Sequence, residues 1–337
     1  MSGEGCAMDF EAIVSDALRS GIGPIAAVYA LAAMGLNLHF GYTGLLNFGQ
    51  VGFMLVGGYG LAITVSTYDG PMWLGVLGGI ACAIVLALLL GLPTLRLRAD
   101  YLAITTIAAG ETLRLFYRSS WAEPVTGGVF GLQRFANDFY ALSPIEPGTY
   151  GVWLVRYSSR DLWVMIVGWA LVLVVGSLLA LLIHSPWGRV IRSIRDDEVA
   201  ARSLGKNVYA YKMQSLVLGG VIGAVAGMMQ AIQVQSVNPD NYDPAVTFFL
   251  YTLLVLGGAG RILGPVVGSI LFWFVLSFLD SALRQAIDAE YISPDLISTS
   301  EVGAVRFALV GVALILLVAF RPQGILGSRK EMLLSGR

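Results

Sequence analysis

Few residues in this chain carry groups capable of chemistry, and they do not assemble into an enzyme motif. The two histidines, His39 and His184, lie far apart, so the HExxH pairing of a zinc hydrolase is absent. No GxxxxGK[ST] phosphate loop occurs either. The nearest fragment, Gly205-Lys206, has Ala200 where the first glycine belongs and Asn207 in place of Ser or Thr. The chain therefore cannot hydrolyse ATP by that chemistry. Cys6 and Cys82 are widely separated, and Cys82 sits in an apolar run, which points to packing and not to a disulfide framework or metal site.

The remaining candidates are polar groups set in apolar sequence. Asn37, Asn47 and Gln50 are flanked by Gly44 and Gly49. At membrane depth such groups are costly unless paired or facing water, so they either line a solute path or bond neighbouring helices. Glu111 and Arg114 are three apart on one predicted helix, close enough to pair. A self-neutralised pair favours a structural role, although Glu111 is also the best candidate for an ion-coupling carboxylate. Asp280 and Arg306 invite either a mutual pair or snorkelling. The richest segment is the 184–211 loop, where Val190, Ile191, Ile194, Val199 and Leu204 recur at roughly helical spacing among charges. This predicts a short amphipathic helix that lies on the membrane surface or docks into a partner's groove, with Gly205 as its stop.

The elements that must position these groups follow from composition. The 337 residues are 56% hydrophobic and 13% charged, with mean hydropathy +0.74. A soluble domain carries about 25% charged residues, so a water-facing surface is excluded and an all-α, polytopic membrane protein is expected. Nine segments are long and apolar enough to span: 22–40, 45–67, 71–95, 100–116, 161–183, 212–232, 246–263, 264–283 and 303–320. Boundary uncertainty brackets the total at about 8–10. The glycine-rich 45–67 segment reads as a broken helix beside a cavity. Gly219, Gly223 and Gly227, and likewise Gly260, Gly264 and Gly268, put small residues on one helix face for close packing. Acidic residues precede the first basic one, Arg19, which excludes a secretory signal.

Lys and Arg in short loops set orientation. With nine spans, Arg96 and Arg98, the 184–211 loop, Arg261 and the 321–337 tail share one side, expected to be the cytoplasm. The 117–160 and acidic 284–302 loops then lie outside, as does the 1–21 tail. Arg118, Arg134, Arg156 and Arg160 in or beside the outer loop are candidates for meeting carboxylates of a binding protein. Net charge is −1, which gives no electrostatic case for nucleic acid.

Ordered landmarks run through most of the chain. They are Gly35-Leu36-Asn37-Leu38, Gly41-Tyr42-Thr43-Gly44-Leu45-Leu46-Asn47-Phe48-Gly49-Gln50 and Leu95-Arg96-Leu97-Arg98-Ala99-Asp100-Tyr101. Gly110-Glu111-Thr112-Leu113-Arg114, Thr126-Gly127-Gly128, Arg195-Asp196-Asp197-Glu198 and Gly257-Gly258-Ala259-Gly260 follow. In this order they resemble the longer of the two permease types in bacterial ATP-binding-cassette importers for branched-chain amino acids, over residues 30–327.

The resemblance implies a 22–320 permease domain in the bacterial inner membrane, working by ATP-driven alternating access without a cofactor of its own. Implied partners are a second, related permease, two ATP-binding subunits, an extracytoplasmic substrate-binding protein and membrane lipid. Urea and short amides are the alternative substrates. An ion-coupled secondary transporter is the rival mechanism. Such permeases present a coupling helix of pattern EAAxxxG to the ATPase. Here Ala200, Ala201 and Gly205 keep that spacing, but Val199 occupies the glutamate position and Glu198 lies one residue earlier. Arg195, Asp196, Asp197, Glu198, Ala200, Ala201, Leu204 and Gly205 are thus the expected coupling residues, with small alanines letting the helix seat deeply. Asn37, Asn47, Gln50 and Glu111 are the path candidates.

Overall fold

The computed structural model describes residues 9–97, 99–152, 155–289, 291, 301–321 and 323–327. The chain is helical almost throughout. It opens with α1 (Phe10–Ile22) and α2 (Pro24–Asn37), continues as one turn of π-helix (Leu38–Tyr42), and then gives α3 (Gln50–Ser66), α4 (Met72–Thr94) and α5 (Ala99–Arg118). A cap follows, made of α6 (Glu123–Thr126), β1 (Leu132–Gln133), α7 (Asn137–Ala141) and the hairpin β2 (Thr149–Val152) and β3 (Val155–Ser158). Next come α8 (Ser159–His184), α9 (Pro186–Asp196), α10 (Glu198–Ser203), α11 (Val208–Val234), β4 (Ser236–Val237), α12 (Pro244–Gly257), α13 (Gly264–Asp288) and α14 (Val302–Phe320).

Every one of the nine apolar segments contains a helix. Among the described residues, five stretches are long and apolar enough to cross a membrane: Phe10–Tyr42, Met72–Thr94, Ser159–His184, Val208–Val234 and Gly264–Asp288. The first begins well before residue 22. The 1–21 segment, expected to be a tail, carries α1, which continues into α2 across Gly23 and Pro24. Proline suits the first turn of a helix, where its missing N–H costs nothing. Helix α1 lies along α13, with Ser20 Oγ donating to Ser277 Oγ at 3.0 Å and Ser281 Oγ to Asp16 at 3.2 Å.

Helix α2 is apolar on all sides, and residues 26–39 are all buried, as expected of a helix enclosed by others. Glycines bring α11 against it. A Cβ on Gly35 would fall 2.5 Å from the Gly219 carbonyl, and one on Gly57 of α3 would meet the Ala224 Cα at 2.5 Å. Without hydrophobic drive in lipid, such close backbone contact is what holds helices together. The Gly219, Gly223 and Gly227 face is therefore the seam between α11, α2 and α3. The outer faces of α4, α8 and α14 are aliphatic, carrying Leu88 and Leu89, Leu173 and Leu181, and Ile315 and Leu316.

The basic sites gather at one end of the bundle. The Arg96 guanidinium lies over the Tyr209 ring, and an Arg195 Nη1 lies close to Gly260, next to Arg261. The chain after α14 returns there, with Ile325 and Leu326 donating N–H groups to Leu256 and Gly257 at 3.0 and 3.1 Å. Arg98, Arg329, Lys330 and Arg337 lie outside the described residues, as does most of 284–302. The cap is at the opposite end, where β1 pairs antiparallel with β4 and the Ser66 hydroxyl reaches the Gln133 carbonyl.

Candidate functional site

The 184–211 loop forms two helices, not the single amphipathic helix expected. Asp197 adopts an extended conformation and its carboxylate accepts the Ala200 N–H at 2.9 Å, ending α9 and capping α10. An N-cap aspartate satisfies a donor the new helix cannot satisfy internally. Helix α9 turns Ile191 and Ile194 inward. Helix α10 points outward: Val199 is 74% and Leu204 79% exposed. Gly205 then turns the chain away at φ +75°, with open space where a Cβ would stand. The paired alanines are divided. Ala200 is exposed, while Ala201 is buried against Ile194 and Val208 of this chain. Ala201 therefore belongs to the loop's own small core and not to its outer face.

Contacts through Arg195 and Glu198 are among those that tie this loop to the bundle. Arg195 Nη1 donates to the Gly41 carbonyl at 2.5 Å, in the π-helical turn ending α2. Glu198 pairs with Lys212 on α11 and with Arg202 at 2.9 Å. Thr43, Gly44, Leu45, Arg195, Glu198 and Lys212 line a cavity of about 230 Å³ between them.

Beyond the π turn the chain re-enters the bundle as irregular backbone, and α3 begins only at Gln50. The 45–67 segment, expected to be a broken helix, is thus one continuous helix over Gln50–Ser66, and the irregular backbone, Thr43–Gly49, lies at and before its start. Its polar groups are bonded within the protein. Asn47 Nδ2 donates to His39 Nδ1 at 3.0 Å, and its Oδ1 accepts the Gly49 N–H at 2.9 Å. The opposite His39 nitrogen, Nε2, lies 3.1 Å from the Ser215 carbonyl, which calls for a neutral ring protonated at Nε2. Gln50 Nε2 donates to the Gly219 carbonyl at 3.2 Å. Asn37 clamps the turn after α12, donating to the Arg261 carbonyl at 2.8 Å and accepting from the Gly260 N–H at 2.9 Å. Asn37, Asn47 and Gln50 are all buried; the structure joins Asn47 to Gln50 at 3.3 Å, while Asn37 bonds separately to the turn after α12. His39, which carried no motif, is the hub that sequence reasoning missed.

Glu111 stands apart from that network. Both its oxygens accept from Arg114, at 2.6 and 2.8 Å, and Arg114 continues to Asp240 at 2.7 Å. The pair expected from the spacing is present, and it extends into a clasp between α5 and the turn before α12. Arg118 joins the clasp through Asp240 at 3.2 Å. At the cap, Arg160 lies over the Tyr140 ring, while Arg134 and Arg156 are exposed. Asp280 and Arg306 form the anticipated pair at 2.9 Å.

The sequence of this chain matches known transport proteins. Residues 22–319 match the family described as branched-chain amino acid transport system, permease component. The chain belongs to that family. Among its relatives, the high-affinity branched-chain amino acid transport system permease LivM of Escherichia coli is 28% identical, covering 93% of this chain and 71% of the relative. A probable LivM permease of Methanocaldococcus jannaschii is 26% identical over 89% and 90% of the two chains. The E. coli permease LivH is 26% identical over 90% and 92%. The chain is therefore a multi-pass permease component of a transporter, and the landmarks quoted above fall within the matched region or at its edge.

Proposed function

We propose that this permease is one membrane-spanning half of an ATP-driven importer of branched-chain amino acids in the bacterial inner membrane. It pairs with a second permease of the same family, two ATP-binding subunits dock at the basic end, and a substrate-binding protein delivers the solute to the cap end. The observation that carries this reading is the build of α10. Two large apolar side chains, Val199 and Leu204, project from a short helix whose base is fixed to α2 and α11. An apolar knob on a rigid mount suits insertion into a partner's groove. Movement of that partner would reach Gly41 through Arg195 and α11 through Glu198, displacing the two sides of the α2–α3 break. The occurrence of both LivM and LivH among the relatives supports a paired permease.

An ion-coupled mechanism is less favoured because Arg114 already holds both oxygens of the intramembrane carboxylate it would need. Co-expression with the neighbouring transporter genes and reconstitution in vesicles tests the proposal. Leucine uptake should require ATP and all partner subunits, and excess urea or acetamide should not compete. ATP-independent uptake by this chain alone would overturn it.

A further inference from the structure

One open face of the bundle differs from the lipid-type faces of α4, α8 and α14. It lies between α5 and α12, where the irregular Thr43–Gly49 segment comes to the surface. Phe48 stacks on Tyr251 with ring centroids 4.5 Å apart and planes at 25°, and lies 5.5 Å from Phe248. Tyr251 also meets Phe40 edge-on at 5.4 Å. The rings are held from behind. The Phe48 N–H donates to Thr106 Oγ1 at 3.0 Å, and the Tyr251 hydroxyl donates to the Asn47 carbonyl at 3.1 Å. Thr106 is about two turns into α5 from the basic end, roughly 10 Å deep. Irregular backbone at such depth is tolerated only when covered by protein or lining water. Partly exposed Glu111 and exposed Thr112 on the adjoining stretch of α5 also disfavour lipid there.

Resting on the permease reading, we propose that Phe48, Tyr251 and Phe248 form an aromatic wall of the solute path, over which the aliphatic side chain of the transported amino acid passes. Flat rings, here positioned by the Tyr251 hydroxyl bond, the Phe48 N–H bond and ring-to-ring packing, offer apolar contact without demanding one shape of side chain. The wall is also only a few residues from Gly41, so the Arg195 contact that mounts the loop helices sits at the base of the segment carrying Phe48.

The test uses the complete transporter in vesicles, in a Cys6→Ser, Cys82→Ala background. Phe248 and Leu88 are similarly open in the isolated chain, at 48% and 42%. Single cysteines replace each in turn and are challenged with a charged, water-soluble thiol reagent. Phe248→Cys should react at least about tenfold faster than Leu88→Cys, since Leu88 faces hydrocarbon that excludes charge. Leucine with ATP turnover should change the Phe248→Cys rate severalfold and leave Leu88→Cys unchanged. Thr252→Cys, one turn along the same face, should repeat the pattern if loss of the ring is not tolerated. Equal, slow labelling at both sites would show a lipid-covered face, and fast labelling insensitive to leucine and ATP would show a wet surface outside the path; either result overturns the wall. Failure of the importer reading itself would appear separately, as absence of ATP-dependent leucine uptake in the unlabelled parent.

Discussion

Arg195 and Gly41 are 154 residues apart, yet the guanidinium of one donates to the carbonyl of the other at 2.5 Å. This bond joins the loop after α8 to the turn where α2 loses its α-helical register. Charge-assisted hydrogen bonds are worth about 1.5–3 kcal/mol, enough to make the two ends move together. Arg195→Ala should therefore leave the spans folded and ATPase subunits attached, while uptake per ATP hydrolysed falls about tenfold, in line with that energy. Parallel assays of hydrolysis and uptake in vesicles measure it. Equal ratios for variant and parent would remove this bond from the coupling route.

Glu111→Gln separates the two transport mechanisms. Arg114 keeps its contact with Asp240 in this variant, so uptake should stay within about threefold of the parent, the loss expected of a weakened partly exposed pair. Loss of uptake together with loss of pH dependence would instead mark Glu111 as an ion-coupling group.

Asn47→Leu keeps the approximate volume and removes the bonds to His39 and Gly49. Each buried group left unsatisfied costs about 1–3 kcal/mol, so thermal unfolding in detergent should shift down by several degrees. A double-mutant cycle with His39→Leu should return a coupling energy of about 0.5–3 kcal/mol. Additive effects would mean that the two side chains act independently.

Much of this was legible in the sequence. Apolar length marked the nine segments because that signal is local, whereas glycine content suggested a break inside α3 and the irregular backbone lies before it. Three-residue spacing was enough for Glu111 and Arg114. The loop around α10 was read as one helix because periodicity registers side-chain spacing and not the backbone turn that Asp197 imposes. Spacing treats Ala200 and Ala201 alike, whereas in the structure Ala200 is exposed and Ala201 packs with Ile194 and Val208. The partners of Asn37, Asn47 and His39 are mostly backbone groups on distant elements. No pattern along the chain encodes such pairings. The Phe48–Tyr251 stack was hidden for the same reason.

Orientation is checked by two further single cysteines in the cysteine-free background. Ser203→Cys, at the basic end, should resist an impermeant thiol reagent in intact cells and react once the membrane is opened. Arg156→Cys, exposed in the cap, should react in intact cells. The reverse pattern would invert the molecule.

The outward face of α10 decides the functional account. Leu204→Asp places a charge where an apolar knob is proposed to seat, and a buried unpaired charge is strongly destabilising to an interface. Leu204 makes no use of the loop's own core, so the variant should reach the membrane in normal amount. The most direct measurement is retention of the ATP-binding subunits when tagged permease is purified from that membrane. The account predicts loss of at least about 90% of the bound ATPase, since one lost hot spot costs 2 kcal/mol or more, with uptake abolished in parallel. Full ATPase retention with unchanged ATP-dependent uptake would contradict it.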